Sequence, residues 1–135
     1  MVSGKSSKGA TQKARQLAKA ALEKKGCDLV ILEIGRVNPF TDCFLLVTGR
    51  SDRHVQAIAD AVSDDLKRMQ EHVLGVEGYE DGKWILIDAG DVVIHVFQEA
   101  VRKYYDLEGL WMDAPRYDIE EEEEVESLEK EVSGC

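Results

Sequence analysis

The chain has 135 residues, of which 44% are hydrophobic, and a formal net charge of −10. A chain of this length forms one domain that buries about two thirds of its unfolded surface, so its core needs no metal or disulfide. The three cysteines form no CxxC pair, HExxH is absent, and neither a signal peptide nor a membrane-spanning run occurs. We therefore predict a cytoplasmic protein without metal, cofactor or membrane contact.

The charges are unevenly distributed along the chain. Residues 1–25 carry seven Lys or Arg against one Glu, residues 26–112 carry eight against sixteen acids, and residues 113–135 carry two against ten. An acidic surface repels phosphate and attracts basic proteins, so the folded core is not expected to bind nucleic acid directly. We predict a disordered basic arm at 1–10 and an acidic, disordered tail at 116–135.

Between these ends, the hydrophobic pattern predicts a helix, two strands and a second helix. Small and apolar residues at helical spacing start at Thr11, and Gly26 is a plausible stop. Short apolar runs at 29–34 and 43–47 predict strands that are covered on both faces. Ser51 then caps a helix whose apolar face carries Val55, Ile58, Ala59, Val62, Leu66 and Met69.

A meander of up to three strands follows, beginning with a weak strand at 73–78. Strong β-formers at 84–88 and 92–97 flank the turn Asp88-Ala89-Gly90-Asp91, which predicts a hairpin. A short aromatic helix comes next, at 104–111. Together these elements predict a two-layer α/β (α+β) domain over residues 11–115, with helices packed on a mixed sheet.

Both tryptophans and two tyrosines lie in this last part of the domain: Trp84, Tyr104, Tyr105 and Trp111. For any one of these rings, burial in the core is as good an explanation as exposure on a binding surface. A small sheet, however, does not need so much aromatic surface. Trp and Tyr anchor protein interfaces, so their clustering in one acidic segment predicts a binding surface. Such a patch can also pair with its own copy, which leaves a homodimer open.

Candidate catalytic residues are few. The loop from Gly49 to His54 lies between a strand and a helix, where free amides can hold phosphate. It lacks the P-loop lysine and the GxGxxG spacing, so capping by Ser51 is the favoured interpretation and a nucleotide-binding or nucleotidyltransferase-like enzyme is the alternative. Asp88 and Asp91 are expected to form the turn, because carboxylates that bracket a hairpin do not automatically converge on a metal.

The remaining candidate, His95, has no nucleophile at motif spacing, so we expect it to be packed in the sheet with one ring nitrogen bonded. No catalytic residue is predicted.

Six blocks of the sequence, in unbroken order over about residues 11–115, resemble the Iojap/RsfS family, the ribosomal silencing factors. They are residues 41–44 (TDCF), 49–60 (GRSDRHVQAIAD), 75–78 (GVEG), 84–88 (WILID), 90–96 (GDVVIHV) and 105–111 (YDLEGLW). The resemblance implies a mixed-sheet domain of nucleotidyltransferase-like topology without the catalytic carboxylates.

The resemblance also implies a function and a partner. Family members bind the fourteenth protein of the large ribosomal subunit and block joining of the small subunit, which represses translation. Carried over to this chain, the contact surface comprises Trp84, Ala89 and Tyr105, with the acids Asp88, Asp91 and Glu108 available to a basic partner. Family members often have a larger apolar residue at the position of Ala89, so this residue is expected to add little contact area.

Overall fold

A computed structural model describes residues 2–119, with side chains from residue 9 onward. The elements in chain order are α1 (Val2–Glu23), β1 (Cys27–Glu33), β2 (Cys43–Gly49), α2 (Asp52–Arg68), β3 (Gly75–Glu77), β4 (Trp84–Asp88), β5 (Val92–Gln98), α3 (Glu99–Tyr105), α4 (Leu107–Leu110) and β6 (Arg116–Ile119). Within this part of the chain no helix is long and apolar enough to span a membrane. Residues 120–135 of the predicted tail lie outside the described residues.

The described strands form one mixed sheet in the order β3-β4-β5-β2-β1-β6. The central strands β2 and β5 are parallel, with Cys43 opposite Val92 and Gly49 opposite Gln98. The pairs β1–β2, β1–β6, β3–β4 and β4–β5 are antiparallel. Parallel neighbours need a crossover connection, which α2, β3 and β4 supply here. The predicted mixed sheet, meander and hairpin are confirmed.

Helices α1 and α2 cover one face of the sheet and enclose the main apolar core. Side chains alternate between the faces of a strand, so each central strand gives every second residue to this core. The apolar residues of α2 that face it are Val55, Ile58, Ala59, Val62 and Leu66, as predicted. The Ser51 cap is also confirmed, because its Oγ accepts the amide N–H of His54 at 3.1 Å.

Helix α1 begins at Val2, earlier than the predicted start at Thr11, and continues through the segment predicted as an arm. A helix that is already nucleated gains one hydrogen bond for each residue added, so it can extend into polar sequence. Its buried residues that contact the main core are Ala10, Ala14, Leu17, Ala18 and Ala21. The packed part of α1 therefore follows the predicted helical spacing.

Residues 116–119, predicted as the start of the tail, instead form the edge strand β6. It pairs with β1, with Ile119 opposite Leu29. Tyr117 and Ile119 pack against the main core, and Arg116 and Asp118 alternate with them on the exposed face. A four-residue alternation next to a glutamate run is too short a signal to predict a strand. The folded part therefore extends to residue 119 and not only to residue 115.

The other face of the sheet is covered only in part. A second apolar cluster comprises the buried residues Val30, Leu32, Ile34, Leu46 and Phe97, with partly buried residues from α3, α4 and the following segment packed on it. Strands β1 and β2 are thus covered on both faces, as predicted. On β4, the side chains of Trp84, Leu86 and Asp88 that point to this face all remain partly exposed.

Replacing both Tyr117 and Ile119 with Ser should lower the free energy of unfolding by about 2 kcal/mol, because two half-buried apolar side chains lose their contact with the core. Urea unfolding measures the change. The matched control is Asp118→Ser on the exposed face of the same strand, whose ion pair with Arg116 is worth less than about 1 kcal/mol. Equal stability of the double variant and the control would mean that β6 does not contribute to the core.

Candidate protein-binding surface

The partly covered face of the sheet carries three of the four aromatic residues singled out in the sequence, Trp84, Tyr105 and Trp111. We call Phe44, Trp84, Tyr105 and Trp111 the aromatic face. The rings of Trp84 and Tyr105 lie 4.9 Å apart between centroids, and those of Phe44 and Trp111 lie 6.0 Å apart, edge to face. Tyr105 is 54% exposed, and the other three rings are half-buried. The structure thus brings together side chains from β2, β4, α3 and the residue after α4.

Trp84 is the first residue of β4, and its position depends on a close approach of the backbone. Gly78 has φ +81, and a Cβ there would collide with the carbonyl oxygen of Trp84. Because glycine alone tolerates both conditions, the segment before β4 can pass directly beside the tryptophan. The indole then packs against Phe97, at 5.7 Å between ring centroids, as well as against Tyr105.

His95 lies beneath the aromatic face and is only 4% exposed. Its Nδ1 accepts the indole N–H of Trp84 at 3.1 Å, so the ring is packed with one nitrogen bonded, as predicted. Phe44 meets the imidazole edge to face at 4.6 Å. Burial lowers the pKa of His95 to about 4, so the imidazole is neutral near pH 7 and its Nε2 carries the proton. That Nε2 has no hydrogen-bond partner among the described residues.

Arg102 fixes the two short helices that carry Tyr105 and Trp111. It is buried, and its Nη1 donates to Asp28 O at 2.7 Å and to Thr48 Oγ1 at 2.8 Å. Its Nε and Nη2 donate to the two carboxylate oxygens of Glu108 at 3.0 and 3.1 Å. One guanidinium therefore links α3 and α4 to β1 and β2, with the planar, bidentate geometry that arginine favours.

Glu108, one of the acids predicted to contact a partner, is already bound to Arg102 in this link. Arg102 lowers the pKa of the Glu108 carboxyl chiefly through its hydrogen bonds, although burial opposes the shift. Arg116 adds a second ion pair at 3.3 Å. Because two arginines of the same chain already balance its charge, Glu108 has little left to offer a basic partner.

The hairpin turn contains the other predicted contact residues. Asp88 Oδ1 accepts the N–H of Gly90 at 2.9 Å, which confirms the predicted turn formation. Ala89 is only 5% exposed and belongs to the main core on the helix side. Its methyl group therefore does not form part of the aromatic face, which corrects the sequence-based placement. The reason is the alternation along β4, which sends Ile85, Ile87 and then Ala89 to the helix side.

Asp91 is bound to the first helix. Lys13 is buried, and its Nζ contacts Asp91 Oδ1 at 2.6 Å, Glu71 Oε1 at 2.7 Å and the carbonyl oxygen of Ala89 at 3.2 Å. This cation links α1 to the hairpin turn and to the segment after α2. Like Glu108, Asp91 already has an internal partner, so only Asp88 among the predicted acids lacks an ion pair within the described residues.

Several polar groups in the loop from Gly49 to His54 are already hydrogen-bonded within the protein. His54 Nδ1 accepts the N–H of Arg50 at 2.8 Å, and His54 Nε2 donates to the carbonyl oxygen of Lys24 at 2.7 Å. The Asp52 carboxylate accepts from Lys83 at 3.0 Å. A phosphate would have to displace these contacts, so the geometry gives no support to the nucleotide-binding alternative. In the described part of the chain no cluster of three His, Cys, Asp or Glu residues is arranged to hold a metal.

Two of the residues that hold this surface together were not identifiable from the sequence. Arg102 and Lys13 each lie on a helix, and apart from Glu108 their partners are remote in the chain. Buried cations of this kind carry no local signal, because a Lys or Arg is usually exposed. The aromatic residues, in contrast, were recognisable from their clustering alone.

A family model described as "ribosomal silencing factor during starvation", RsfS, matches residues 7–133 of the chain. The chain belongs to this family. The ribosomal silencing factor RsfS of Chromobacterium violaceum is 44% identical over 101 residues, which cover 74% of this chain and 83% of the relative. A crystal structure of a protein from the same organism superposes with a TM-score of 0.74 at 38% identity, covering 76% of this chain and 85% of that one.

A more distant relative is the mouse protein named mitochondrial assembly of ribosomal large subunit protein 1. It is 29% identical over 87 residues, which cover 62% of this chain and 38% of the mouse protein. The resemblance inferred from the six sequence blocks is therefore confirmed at the level of the RsfS family.

The buried His95 predicts a loss of stability in mild acid. Its pKa of about 4 in the folded protein lies below the ordinary value of 6.5, so between these two values the unfolded chain binds a proton that the folded protein does not. The free energy of unfolding should thus fall by about 2 kcal/mol from pH 7 to pH 5 through this residue, with no contribution above about pH 7.

Urea unfolding of the wild type and of His95→Asn at both pH values isolates this effect, since every other titratable group is the same in the two proteins. The wild type should lose more stability than the variant between pH 7 and pH 5. Parallel losses would show that His95 takes up a proton as easily in the folded protein as in the unfolded chain.

Proposed function

We propose that this protein binds the large ribosomal subunit through the aromatic face, with the fourteenth protein of that subunit as its partner, and so hinders joining of the small subunit. The RsfS family supports a role in silencing ribosomes, and the name of the mouse relative connects that protein with the large subunit. The protein then represses translation by steric exclusion, and no chemical step is needed.

The observation that carries this proposal is the exposed Tyr105 ring packed on Trp84. Tyr105 stays 54% exposed although its ring packs on the half-buried Trp84, so a partner that covers both rings buries aromatic surface at the centre of an interface. The half-buried Leu86 and Val93 extend the same side of the sheet with apolar surface. A polar rim around an apolar, aromatic centre is the usual anatomy of a protein interface.

Charge contributes to this proposal mainly through the molecule as a whole. Asp91 and Glu108 are bound by Lys13 and Arg102, so direct pairing with a basic ribosomal protein is left to Asp88 and to acids at the rim. The net charge of −10 still attracts a basic partner over a distance and accelerates its association. We therefore assign affinity to the rings and association rate to the net charge.

We further place this action in the cytoplasm, where assembled subunits meet. A homodimer through the aromatic face would compete with docking, because both would cover Trp84 and Tyr105.

Replacing Trp84 or Tyr105 with Ala should weaken binding to purified large subunits by about 2 kcal/mol, or about thirtyfold, because each change removes a ring from the centre of the interface. Tyr79→Ala is the matched control. Tyr79 is also exposed, but its hydroxyl donates to Asp60 on α2, on the other side of the sheet. Wild-type affinity in a folded Trp84→Ala, Tyr105→Ala double variant would refute the proposed surface.

Adding the protein to large subunits before small subunits should reduce the joined ribosomes seen in gradient sedimentation, with the protein migrating in the large-subunit fraction. Higher salt should slow its association with the isolated basic partner protein, because salt screens the attraction between opposite charges. Co-migration with large subunits together with undiminished joining would leave binding intact and exclude the blocking mechanism.

A further inference from the structure

The indole N–H of Trp84 is already used inside the protein, although the ring belongs to the exposed aromatic face. It donates to His95 Nδ1 at 3.1 Å, and an indole has one hydrogen to donate. His95 itself cannot move away easily, because it lies between Trp84 and Phe44 on the sheet and is 4% exposed. The tryptophan is therefore held by a rigid acceptor below it.

We infer that His95 is a positioning residue for Trp84, which satisfies the indole N–H from below so that the ring meets the partner with an apolar surface. This inference rests on the proposed function, because it assigns a purpose to a bond beneath the docking surface. The partner group that covers Trp84 is then aliphatic or aromatic, and it does not need to supply a hydrogen-bond acceptor.

The physical reason lies in the cost of covering a polar group. A buried donor without a partner pays the full penalty of losing its water, whereas the same donor already bonded within the protein costs nothing further when a neighbour covers it. Without the His95 acceptor, docking would strip water from the indole N–H. The bond also removes rotational freedom from Trp84 before the partner arrives, which lowers the entropy cost of binding.

The imidazole is well suited to this position for a second reason. Nδ1 accepts only when it carries no proton, and burial keeps the ring neutral near pH 7. Among the side chains of similar size, Leu offers no acceptor, whereas Asn places its amide oxygen where Nδ1 lies in His. This difference between His95→Leu and His95→Asn gives a matched pair of variants.

The orientation of Trp84 can be tested in the isolated protein by its indole N–H signal in ¹H–¹⁵N spectra. Trp111 is the only other tryptophan of the chain and serves as the internal reference. In His95→Leu the Trp84 signal should shift and its hydrogen exchange should accelerate, whereas in His95→Asn both should stay near the wild type. An unchanged Trp84 signal in a folded His95→Leu protein would overturn the inference.

Binding to large subunits tests the consequence. His95→Leu should weaken binding at least about fivefold, the change expected for one unsatisfied donor, and His95→Asn should bind nearly as the wild type does. In a Trp84→Phe background, which has no N–H, His95→Leu should have no further effect on affinity. A further loss in that background would mean that His95 acts through packing and not through the bond.

The outcomes separate this inference from the proposed function. If Trp84→Ala weakens binding and His95→Leu does not, the surface stands and the positioning role fails. If neither change affects binding, the proposed surface fails, and the indole signal alone then decides whether His95 orients Trp84.

If His95→Leu does not fold, Trp84→Phe decides instead. It removes the N–H but keeps a ring, so the inference predicts a smaller loss of affinity than Trp84→Ala causes, and an equal loss would overturn it.

Discussion

The architecture depends on the parallel pairing of β2 with β5. Two adjacent parallel strands at the centre of a sheet must be covered on both faces, because their side chains are apolar on both sides. On one face α1 and α2 provide a complete cover. On the other face α3 and α4 cover β1 and β2, and β4, which lies between β5 and the edge strand β3, is left to aromatic rings. The exposed aromatic surface is thus a direct result of how the second face is closed.

Two buried cations link elements of the domain to one another. Lys13 connects α1 to the hairpin turn at one end, and Arg102 connects the short helices to the central strands. A buried ion pair is weak evidence for added stability, because removing the charges from water costs about as much as the pairing returns. Its value here is geometric. A four-residue helix such as α4 has too little apolar contact to hold one orientation, and the bidentate Arg102–Glu108 pair provides it.

The sequence predicted the features that depend on local patterns and missed those that depend on distant partners. The apolar face of α2, its Ser51 cap and the hairpin are each encoded within a few neighbouring residues, and all are confirmed. The strand β6 was missed because it is stabilised by pairing with β1, which lies about ninety residues earlier in the chain. Predicting it would have required knowing that β1 has a free edge.

In the candidate site too, some features follow from local sequence patterns and others depend on contacts that only the structure shows. Clustering in the sequence was sufficient to predict that Trp84 and Tyr105 lie on one surface, since both are on elements with a clear pattern. Ala89 was misplaced because its side depends on whether the alternation of β4 continues into the turn, which only the structure reveals. The internal ion pairs of the acids were not predicted from the sequence. Asp91 and Glu108 look like free surface charges until Lys13 and Arg102 are placed beside them.

The aromatic face also explains why a histidine is tolerated in an otherwise apolar layer. His95 leaves one ring N–H without a hydrogen bond among the described residues, a cost that an apolar side chain at this position would avoid. Part of that cost is offset by Phe44, which meets the imidazole edge to face, the arrangement in which a positive ring edge contacts a negative ring face. The rest of that cost is offset by the hydrogen bond that the other nitrogen, Nδ1, accepts from the indole N–H of Trp84. A hydrophobic residue would pack as well, but it would leave the indole N–H to be desolvated whenever a neighbouring surface covered the ring.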